Sequence, residues 1–580
     1  MNLNWDKYGI DISKARGGKT ICPNCSHTRR HKTDPCLSVD LKTGMFNCHN
    51  GCGFKGSAAM FEKPKKEYAK PLQRLEKLSP KLLKWFEERQ ISNNTLLRFG
   101  VTESKEWMPQ FEKETPVICF NYMRGEEVVN IKFRGALKSF KMEKGAELIF
   151  YNLNALENEK ECIICEGEID CLSFYEAGFY NCVSVPNGAN KGSQQLEYLD
   201  NCWQYFEKME KIFVAVDADE AGESLKEELC RRLGKDRCLL VTYPEGCKDA
   251  NEVLVKYGKD EVSNLISKSY SYPLECESTM DMMAATLMDY YKNGYPKGFK
   301  AGINGFDELL SFYPGQLTLV TGVPNSGKDE FINAVVAGLA VNHKQKTAIW
   351  GYEEPSTITA TKLIEKIYGK AFDFRKDASN RINESQFERG LLFVDEYFKL
   401  MDVDQMSADI DSILEAADRM VKRYGINNLV ISPWNCIEMQ MPNGMSETQY
   451  TAIALSKILS FIKLRNVHCF LIAHPTKIQK DKTTKKFEVP SLYSISGSAH
   501  FFNKTHNGIT VYRDFETNVT DVYVQKCKWS WLGKLGFCSF TYDTLTRQYV
   551  STEQVQKQEK KVNGFNHYAE SNSYNTDNPF

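Results

Sequence analysis

One stretch of the 580-residue chain, QLTLVTGVPNSGKDE (316–330), constrains the fold more than any other. A β-branched apolar run leads into Gly322-x4-Gly327-Lys328, and a helix-forming segment follows. In such a strand–loop–helix context, backbone N–H groups surround phosphate and the lysine reaches its outer oxygens. We therefore predict an α/β domain with a parallel sheet that binds a nucleotide. The residues assigned to this site are Gly322, Asn325, Ser326, Gly327 and Lys328.

The composition excludes several classes of protein. Lys and Arg number 74 against 75 Asp and Glu, so any nucleic-acid surface has to be local rather than a uniformly basic coat. The first residues lack the apolar core of a signal peptide, and no run approaches the ~20 apolar residues of a membrane span. Nineteen cysteines in this setting indicate reduced thiols and metal ligands. We expect a cytoplasmic protein without membrane contact.

Composition and punctuation divide the chain into seven segments, of which two have the alternating strand–helix rhythm of a parallel sheet. The predicted segments are a metal-binding ribbon (1–60), a Lys/Pro-rich linker (61–80), the N-terminal part of a catalytic core (81–160), a first α/β domain (161–270), a linker helix (271–297), a second α/β domain (298–550) and a flexible tail (551–580).

The N-terminal segment has the cysteine spacing of a zinc ribbon. Cys22 and Cys25 form C-x2-C, and Cys48 and Cys52 form C-x3-C. Two such pairs can place four thiolates around one tetrahedral Zn²⁺, which supplies folding energy that so small a segment lacks. His49 also has the right spacing to Cys52 and is an alternative to Cys48. We interpret Cys36 as a packing residue, and a set of reduced structural cysteines is the plainer alternative.

Acidic residues follow two strong strands of the first α/β domain. Glu166 comes directly after ECIIC, and Asp217 and Asp219 come after KIFVAV. The carboxyl ends of neighbouring parallel strands meet in one crevice, and carboxylates that close together suit Mg²⁺ and phosphoryl transfer. Asp249 could join from a following loop. The alternative is that these acids are helix N-caps.

These acids resemble a TOPRIM domain, and with the zinc ribbon ahead they resemble the DnaG-type primase half of phage primase–helicases. The stretch SVPNGA (184–189) stands where that family has a glycine-containing loop. The stretch VVNIKFRG (128–135) resembles its basic strand, which makes Lys132 and Arg134 candidates for phosphate or template contact, with Lys141 assisting. A solvated strand face is the alternative for all three.

The second α/β domain resembles the RecA-like motor of ring helicases of the DnaB and Twinkle type, beginning with GINGFDELLSFYPGQL (302–317). The resemblance makes Glu353 the catalytic carboxylate that activates water, with Glu354 as the adjacent alternative. It makes His474 the sensor of the γ-phosphate. A strand-end histidine without that role is the alternative for His474.

The second α/β domain departs from the family pattern at the two positions expected to bind Mg²⁺. A P-loop usually ends in Ser or Thr, and here Asp329 follows Lys328; the Walker B strand usually ends in Asp, and here it ends in Ser432. If both loops flank one Mg²⁺, the ligand set is still one carboxylate and one hydroxyl. We predict a working ATPase with exchanged ligands, and the alternative is a decayed site.

Two further features of the second α/β domain concern its expected contacts with an adjacent subunit and with DNA. Where the family has Lys-x-Arg with a trans-acting finger, this chain has Lys526 and Lys528; Arg513 is another candidate. Five lysines crowd between His474 and Phe487, where the family grips single-stranded DNA. They are Lys477, Lys480, Lys482, Lys485 and Lys486.

The fold class is therefore multidomain α/β: a zinc ribbon, a TOPRIM primase core, a helical linker and a RecA-like motor. The resemblance implies a DNA primase and helicase that uses NTPs, Zn²⁺ and Mg²⁺, single-stranded and forked DNA, and a ring of six copies. It implies the bacterial host cytoplasm if the origin is a phage. The tail, ending NTDNPF, is a weak match to tails that dock a DNA polymerase or a single-stranded-DNA-binding protein. The alternatives are a primase on a non-hydrolysing ring and a RadA-like recombination ATPase.

Overall fold

The computed structural model describes residues 2–60, 66–74, 76–187, 196–271, 280–372, 380–401, 406–441, 444–476, 487–495 and 498–552. The chain forms two compact units, Met1–Tyr68 and Ala69–Phe580. Within the described ranges, no helix has both the length and the apolar composition needed to cross a membrane. The five lysines of 477–486, the end of the 184–189 loop and the tail from 553 lie outside the described residues.

The first unit is built from short antiparallel strands. They are β1 (Asn2–Leu3), β2 (Lys19–Thr20), β3 (Leu37–Val39), β4 (Met45–Cys48), β5 (Lys55–Ser57) and β6 (Ala59–Met60). Strands β2 to β5 form one sheet in sequence order, and β1 pairs with β6. The apolar core is small, with Trp5, Leu37 and Phe46 beside the cysteines. A core of this size usually needs a metal or disulfides for stability.

The second unit begins with two helices and an antiparallel sheet. The elements are α1 (Pro80–Glu87), α2 (Asn93–Arg98), β7 (Thr102–Met108), β8 (Lys113–Arg124), β9 (Glu127–Arg134) and β10 (Phe140–Met142), and the sheet order is β10-β9-β8-β7. Strands β8 and β9 form a hairpin that turns at Arg124-Gly125. Pro80 stands at the first position of α1, where its missing N–H would have no helical partner.

A parallel sheet follows, as the strand–helix rhythm predicts. Its elements are β11 (Glu161–Cys165), α3 (Glu168–Glu176), β12 (Cys182–Ser184), α4 (Glu197–Phe206), β13 (Lys211–Ala215), α5 (Glu220–Leu233), β14 (Cys238–Leu240), α6 (Ala250–Tyr257), α7 (Lys259–Ser267) and β15 (Tyr270–Ser271). The order is β12-β11-β13-β14-β15, and only the edge strand β15 runs antiparallel. This sheet shares one apolar core with α1 and β8, through Phe86, Phe120 and Leu172 among others.

The remaining elements form the second α/β domain. They are α8 (Met280–Asn293), β16 (Leu317–Thr321), α9 (Lys328–His343), β17 (Thr347–Gly351), α10 (Ser356–Tyr368), α11 (Glu384–Tyr397), β18 (Phe398–Leu400), α12 (Ile410–Tyr424), β19 (Asn428–Ser432), α13 (Glu447–Leu464), β20 (His468–Ile472), α14 (Ser498–Lys504), β21 (Asn507–Asp514), β22 (Val519–Cys527), β23 (Gly536–Tyr542) and β24 (Tyr549–Ser551).

The strand order of this nine-stranded sheet gathers the predicted motor residues at one edge. The order is β18-β17-β19-β20-β16-β21-β22-β23-β24, parallel from β18 to β21 and antiparallel beyond. The ends of β16, β17, β19 and β20 carry the P-loop, Glu353, Ser432 and His474. Ligands of open α/β sheets bind in the crevice at this carboxyl edge.

The two α/β domains contact each other through the end of α5. Arg231 donates to the carbonyl of Ile426 at 3.0 Å, and Arg232 donates to that of Lys422 at 3.0 Å. Arg232 also pairs with Asp200 at 2.7 Å. Both arginines are buried. The carboxyl end of α12 leaves backbone carbonyls without helical partners, and the guanidinium groups satisfy them.

Candidate active sites

The acidic site lies at the carboxyl edge of the first parallel sheet. Glu166 follows β11 and Asp217 follows the adjacent β13, whose last residues pair in register. The backbone N–H of Asp217 donates to Glu166 Oε2 at 3.4 Å. Burial, and then the neighbouring Glu166, raise the pKa of Asp217 to about 7. The fold thus brings these two predicted carboxylates together.

Asp170 belongs to the same cluster and was not singled out by the sequence. It lies in the first turn of α3, is buried, and accepts a hydrogen bond from the Asn251 backbone at 3.1 Å. Burial, followed by the charges of Asp249 and Asp217, raises the pKa of Asp170 well above its ordinary range. The short stretch Glu-Gly-Glu-Ile-Asp contains three acids, and only the fold decides which of them face the crevice.

The helix-cap interpretation holds for two of the acids. Asp219 caps α5 by accepting from the Gly222 N–H at 2.8 Å, and Asp249 caps α6 by accepting from Glu252 at 2.8 Å. Each of these bonds uses one carboxylate oxygen, so capping still leaves an oxygen on Asp219. The cap also fixes its side chain at the mouth of the site.

Two of the predicted basic contact residues, Lys132 on β9 and Lys141 on β10, have carboxylate partners. Lys132 is buried and its ammonium lies 2.8 Å from Glu168, which also accepts from the Tyr122 hydroxyl at 2.5 Å. Lys141 pairs with Glu106 at 3.3 Å. Because Lys132 and Lys141 already have carboxylate partners, their contact with phosphate stays a prediction.

Arg134 has different surroundings. Its guanidinium lies 5.4 Å from the ring centre of Trp85 and 5.3 Å from that of Phe140. Arg89 lies on the same indole at 3.5 Å. Burial lowers the pKa of Arg134, and the charges of the nearby acids, including Asp249, oppose that shift. Sequence reasoning found Arg134 but not Arg89 or Trp85, which an amphipathic helix pattern does not distinguish from ordinary packing.

The P-loop has the backbone that a phosphate cradle requires. Gly322 has φ 155°, and a Cβ there would lie 2.0 Å from the Val511 carbonyl, so only glycine fits. The ammonium of Lys328 is buried and donates to the carbonyls of Gly322 and Val323 at 3.3 and 3.2 Å. Burial lowers the pKa of Lys328. The buried Ser326 hydroxyl has no hydrogen-bond partner within the described ranges. Asn325 and Gly327 adopt left-handed conformations, with φ 60° and 84°.

The two exchanged residues touch. The Ser432 hydroxyl donates to Asp329 Oδ1 at 2.5 Å, although 103 positions separate them in the sequence. Burial raises the pKa of Asp329, and the bond from Ser432 opposes this shift. A hydroxyl and a carboxylate therefore meet beside the phosphate loop, as the exchange hypothesis requires.

The two adjacent glutamates have separate partners. His474 Nε2 lies 3.3 Å from Glu353 Oε1, and the Asn435 side chain fixes the His474 backbone at 2.8 Å. Glu354 pairs instead with Lys362, which also lies 2.8 Å from Glu330 on α9. Glu353 is thus the carboxylate that faces His474, the predicted γ-phosphate sensor.

Lys528 lies at the opposite edge of the sheet from the P-loop of its own chain. Its N–H donates to the His506 carbonyl at 2.9 Å, and the His506 N–H donates to Leu317, the first residue of β16. The P-loop follows the last residue of the same strand. Lys528 is exposed. Arg513 bonds Asn518 at 2.5 Å and lies 5.9 Å from the Tyr542 ring.

The N-terminal unit gathers five thiols. Sulfur atoms of Cys22, Cys25, Cys36 and Cys48 all lie within 4.8 Å of one another, the one such ligand group among the described residues. Cys52 Sγ is 3.8 Å from Cys22 Sγ. Four thiolates at about 2.3 Å from zinc lie about 3.8 Å apart, and the observed separations fit. Cys36, interpreted above as packing, belongs to the cluster. His49 bonds Ser38 at 3.0 Å, and Cys48 occupies the cluster.

Comparison with known proteins agrees with this arrangement. Residues 163–254 match the Toprim-like family. The chain is 33% identical over 94% of its length to the Arabidopsis thaliana protein "Twinkle homolog protein, chloroplastic/mitochondrial", of which it covers 81%. It is 35% identical to the Arabidopsis thaliana "Primase homolog protein" over 46% of its length and 87% of that protein. A chain of the solved structure "The Structure Of A DnaB-Like Replicative Helicase And Its Interactions With Primase" aligns with a TM-score of 0.39 at 13% identity, over 62% of this chain and 80% of that one.

This chain belongs to the Twinkle family. It is a primase–helicase of Twinkle type, with a Toprim domain for primer synthesis and a RecA-like domain for unwinding. The Toprim match falls on the half that carries Glu166 and Asp217. The RadA-like recombination ATPase considered as an alternative would not use a Toprim domain, so the Twinkle assignment replaces this alternative.

Proposed function

We propose that the residues gathered at the two carboxyl edges carry two separate reactions, primer synthesis at Glu166 and Asp217 and NTP hydrolysis at the Asp329–Ser432 pair. The observation that carries this assignment is the meeting of Asp329 with Ser432. A decayed motor site has no reason to keep one carboxylate and one hydroxyl in contact.

At the primase site, Glu166 and Asp217 hold Mg²⁺, with Asp219 and Asp170 adding negative charge. The donor set fits, because burial, and then the charges of Glu166 and Asp249, raise the pKa of Asp217, and a bound cation would offset both effects. Mg²⁺ held there would lower the pKa of the primer 3′-hydroxyl and offset the charge of the phosphates. Arg134 and Arg89 face the incoming nucleotide or template beside Trp85, whose ring lies close to both guanidinium groups.

At the motor site, Lys328 leaves its two backbone carbonyls for the β and γ phosphates when NTP binds. Asp329 and Ser432 would supply the carboxylate and the hydroxyl that hold Mg²⁺. Glu353 orients the attacking water. His474 contacts both the γ-phosphate and Glu353, so the position of Glu353 depends on whether the γ-phosphate is present. The bond from His474 to Glu353 gives the two residues a direct contact through which that state is sensed.

The motor works as a ring in which Lys528 completes the site of a neighbouring copy. Lys528 is exposed and stands at the far edge of the sheet from its own P-loop, so it acts in trans. Helix α8 supports assembly, because it exposes Met280, Leu287, Met288 and Tyr291. Six copies, and the bacterial cytoplasm, are what the family resemblance suggests. Single-stranded DNA passes the lysines of 477–486, and the tail docks a polymerase or a single-stranded-DNA-binding protein.

Zinc completes the N-terminal unit, which selects the template. We assign Cys22, Cys25, Cys36 and Cys48 as ligands on the basis of their mutual distances, with Cys52 as the alternative to Cys22. A set of four thiolates with no open ligand position is typical of a structural site, so zinc would stabilise the fold and take no part in catalysis.

The test is a pair of assays on two variants of the full chain. We expect Asp217→Asn to abolish template-dependent RNA synthesis and to keep DNA-stimulated ATP hydrolysis. We expect Lys328→Ala to abolish hydrolysis and to keep RNA synthesis on short single-stranded templates. Loss of both activities in both folded variants would contradict two separate sites. Absence of ATP hydrolysis in the folded, assembled wild type would favour a primase on a silent ring.

A further inference from the structure

Two aromatic rings beside the motor site take no part in either reaction described above. Tyr493 and Phe502 stack with their ring centres 4.4 Å apart at an interplanar angle of 23°. Tyr493 is 57% exposed, and Phe502 lies beneath it on α14. The exposed ring, backed by a second ring, offers a flat apolar face with a polar edge to solvent.

The position of Tyr493 is fixed by its neighbours in the sequence. It occupies a single helical turn, Leu492–Ser494, between Leu492 and Ile495, which are both buried. The Leu492 N–H donates to Gln525 at 3.2 Å, and the Thr476 N–H donates to the Ser494 carbonyl at 2.9 Å. The ring is therefore held outward by anchors on both sides.

Lys526 places a positive charge beside the stacked pair. The Lys526 ammonium lies 4.6 Å from the centre of the Phe502 ring and donates to the Phe502 carbonyl. Lys463, Lys526 and Lys528 all lie close enough to His506 to lower its pKa, after the larger effect of burial. Within the described part of the chain, none of these three lysines has a carboxylate partner.

We propose that Tyr493, backed by Phe502 and flanked by Lys526, is a stacking platform for a base of single-stranded DNA. A flat exposed ring takes any base, and neighbouring ammonium groups take the phosphates on either side. A lysine surface alone would attract the strand without holding a base. The platform deepens the proposed function and rests on it, because it assumes that the motor binds single-stranded DNA.

The platform adjoins the nucleotide site. The segment that leaves β20 runs from His474 through Pro475 and Thr476, and these two pair with Ile495 and Ser494. Tyr493 directly precedes the paired Ser494 in the sequence. A base on the platform thus lies against the chain that carries the sensor histidine.

The experiment compares two fluorescent oligonucleotides of equal length, oligodeoxythymidylate and a strand of abasic sites. The full chain is titrated into each with a non-hydrolysable ATP analogue present, and anisotropy gives the affinities. We expect the wild type to prefer the strand with bases. We expect Tyr493→Ala to lose roughly 5- to 150-fold in affinity for that strand and nothing for the abasic strand. Tyr493→Trp should retain the preference for the strand with bases, whereas Tyr493→Leu should lose it.

Salt dependence separates stacking from charge. Tyr493→Ala keeps the wild-type slope of affinity against salt, and Lys526→Gln lowers it, because only the lysine releases counterions. Tyr180→Ala is the matched control, since Tyr180 is a comparably exposed tyrosine on the Toprim half.

Three results would overturn the platform. Equal affinity of Tyr493→Ala and wild type for oligodeoxythymidylate would remove it and leave DNA binding by the motor intact. Elution of Tyr493→Ala as a smaller assembly would make the surface a contact between copies. Failure of the wild type to bind either strand would contradict the proposed function itself.

Discussion

Ser432 and Asp329 meet across the nucleotide site, with 2.5 Å between the serine hydroxyl and the aspartate oxygen. Each residue stands where Twinkle-type motors are expected to have the other kind of side chain. Asp329 lies in the first turn of α9 and Ser432 ends β19, so both stand at the carboxyl edge of one sheet and the exchange conserves the chemistry of the pair. The contact gives the exchange hypothesis a structural basis and a direct test.

Restoring only one partner should disable the motor. Asp329→Ser leaves two hydroxyls and no carboxylate, so we expect ATP hydrolysis to fall by about 100-fold or more. The double variant Asp329→Ser with Ser432→Asp rebuilds one carboxylate and one hydroxyl and should recover much of the rate. Steady-state hydrolysis with Mg²⁺ and single-stranded DNA measures both. Normal turnover in the single variant would disprove the exchange.

The two adjacent glutamates should differ in effect. Glu353→Gln is expected to lower kcat for ATP by roughly 10²–10⁴-fold with little change in nucleotide binding, because Glu353 orients water. Glu354→Gln removes one partner of Lys362, which keeps Glu330, and should cost less than about tenfold. Hydrolysis rates and nucleotide affinity, measured on the matched pair, decide between them. The reverse ranking would assign the catalytic role to Glu354.

Removing one acid from the primase cluster should stabilise the metal-free protein. Burial, and then the charges of neighbouring acids, raise the pKa of Asp170 and of Asp217, so their negative charges oppose folding without a cation. We expect Asp217→Asn to raise the melting temperature in EDTA and to lose the increase that Mg²⁺ gives the wild type. Thermal melts with and without Mg²⁺ at pH 8 measure this. Equal Mg²⁺ stabilisation of both proteins would place the cation elsewhere.

Zinc content should distinguish the five thiols. Cys25, Cys36 and Cys48 have sulfur separations of 3.7–3.9 Å, which match the edges of a zinc tetrahedron. We expect Cys36→Ser to lose zinc and Cys52→Ser to keep it. Metal analysis of the purified full-length variants provides the measurement. Zinc retained by Cys36→Ser and lost by Cys52→Ser would restore Cys36 to a packing role.

Acid should destabilise the motor through two buried histidines. Burial lowers the pKa of His468 and of His506 from 6.5 to about 4. The unfolded chain therefore binds more protons between these values, and stability falls as the pH drops from about 6.5 to 4. At full protonation each contributes about 3 kcal/mol. Thermal melts at pH 7 and 5 measure the loss. His506→Asn, which keeps an acceptor for the Leu317 N–H, should reduce the dependence; an unchanged dependence would contradict it.

Much of the site follows from sequence because local pattern fixes it. A strand followed by Gly322-x4-Gly327-Lys328 has one backbone solution, and the structure adopts it. Glu166 and Asp217 follow apolar runs that become neighbouring strands, so parallel topology brings them to one edge. The hairpin turning at Arg124-Gly125 is equally local. The proposed domain boundaries and the roles of the site residues stay predictions.

Tertiary structure decided what depends on partners distant in the chain. Sequence could not show that Glu168 pairs with Lys132 or that Asp170 turns into the crevice, because a helix turn offers several faces and packing selects one. Cys36 joins the thiol cluster because β3 pairs with β4, whereas its own spacing matches no pair. The Asp329–Ser432 contact needs a sheet that brings together loops 103 residues apart. Local sequence propensity specifies the backbone conformation of each segment. Which side chains meet is decided by burial, because buried polar groups must find hydrogen-bond partners.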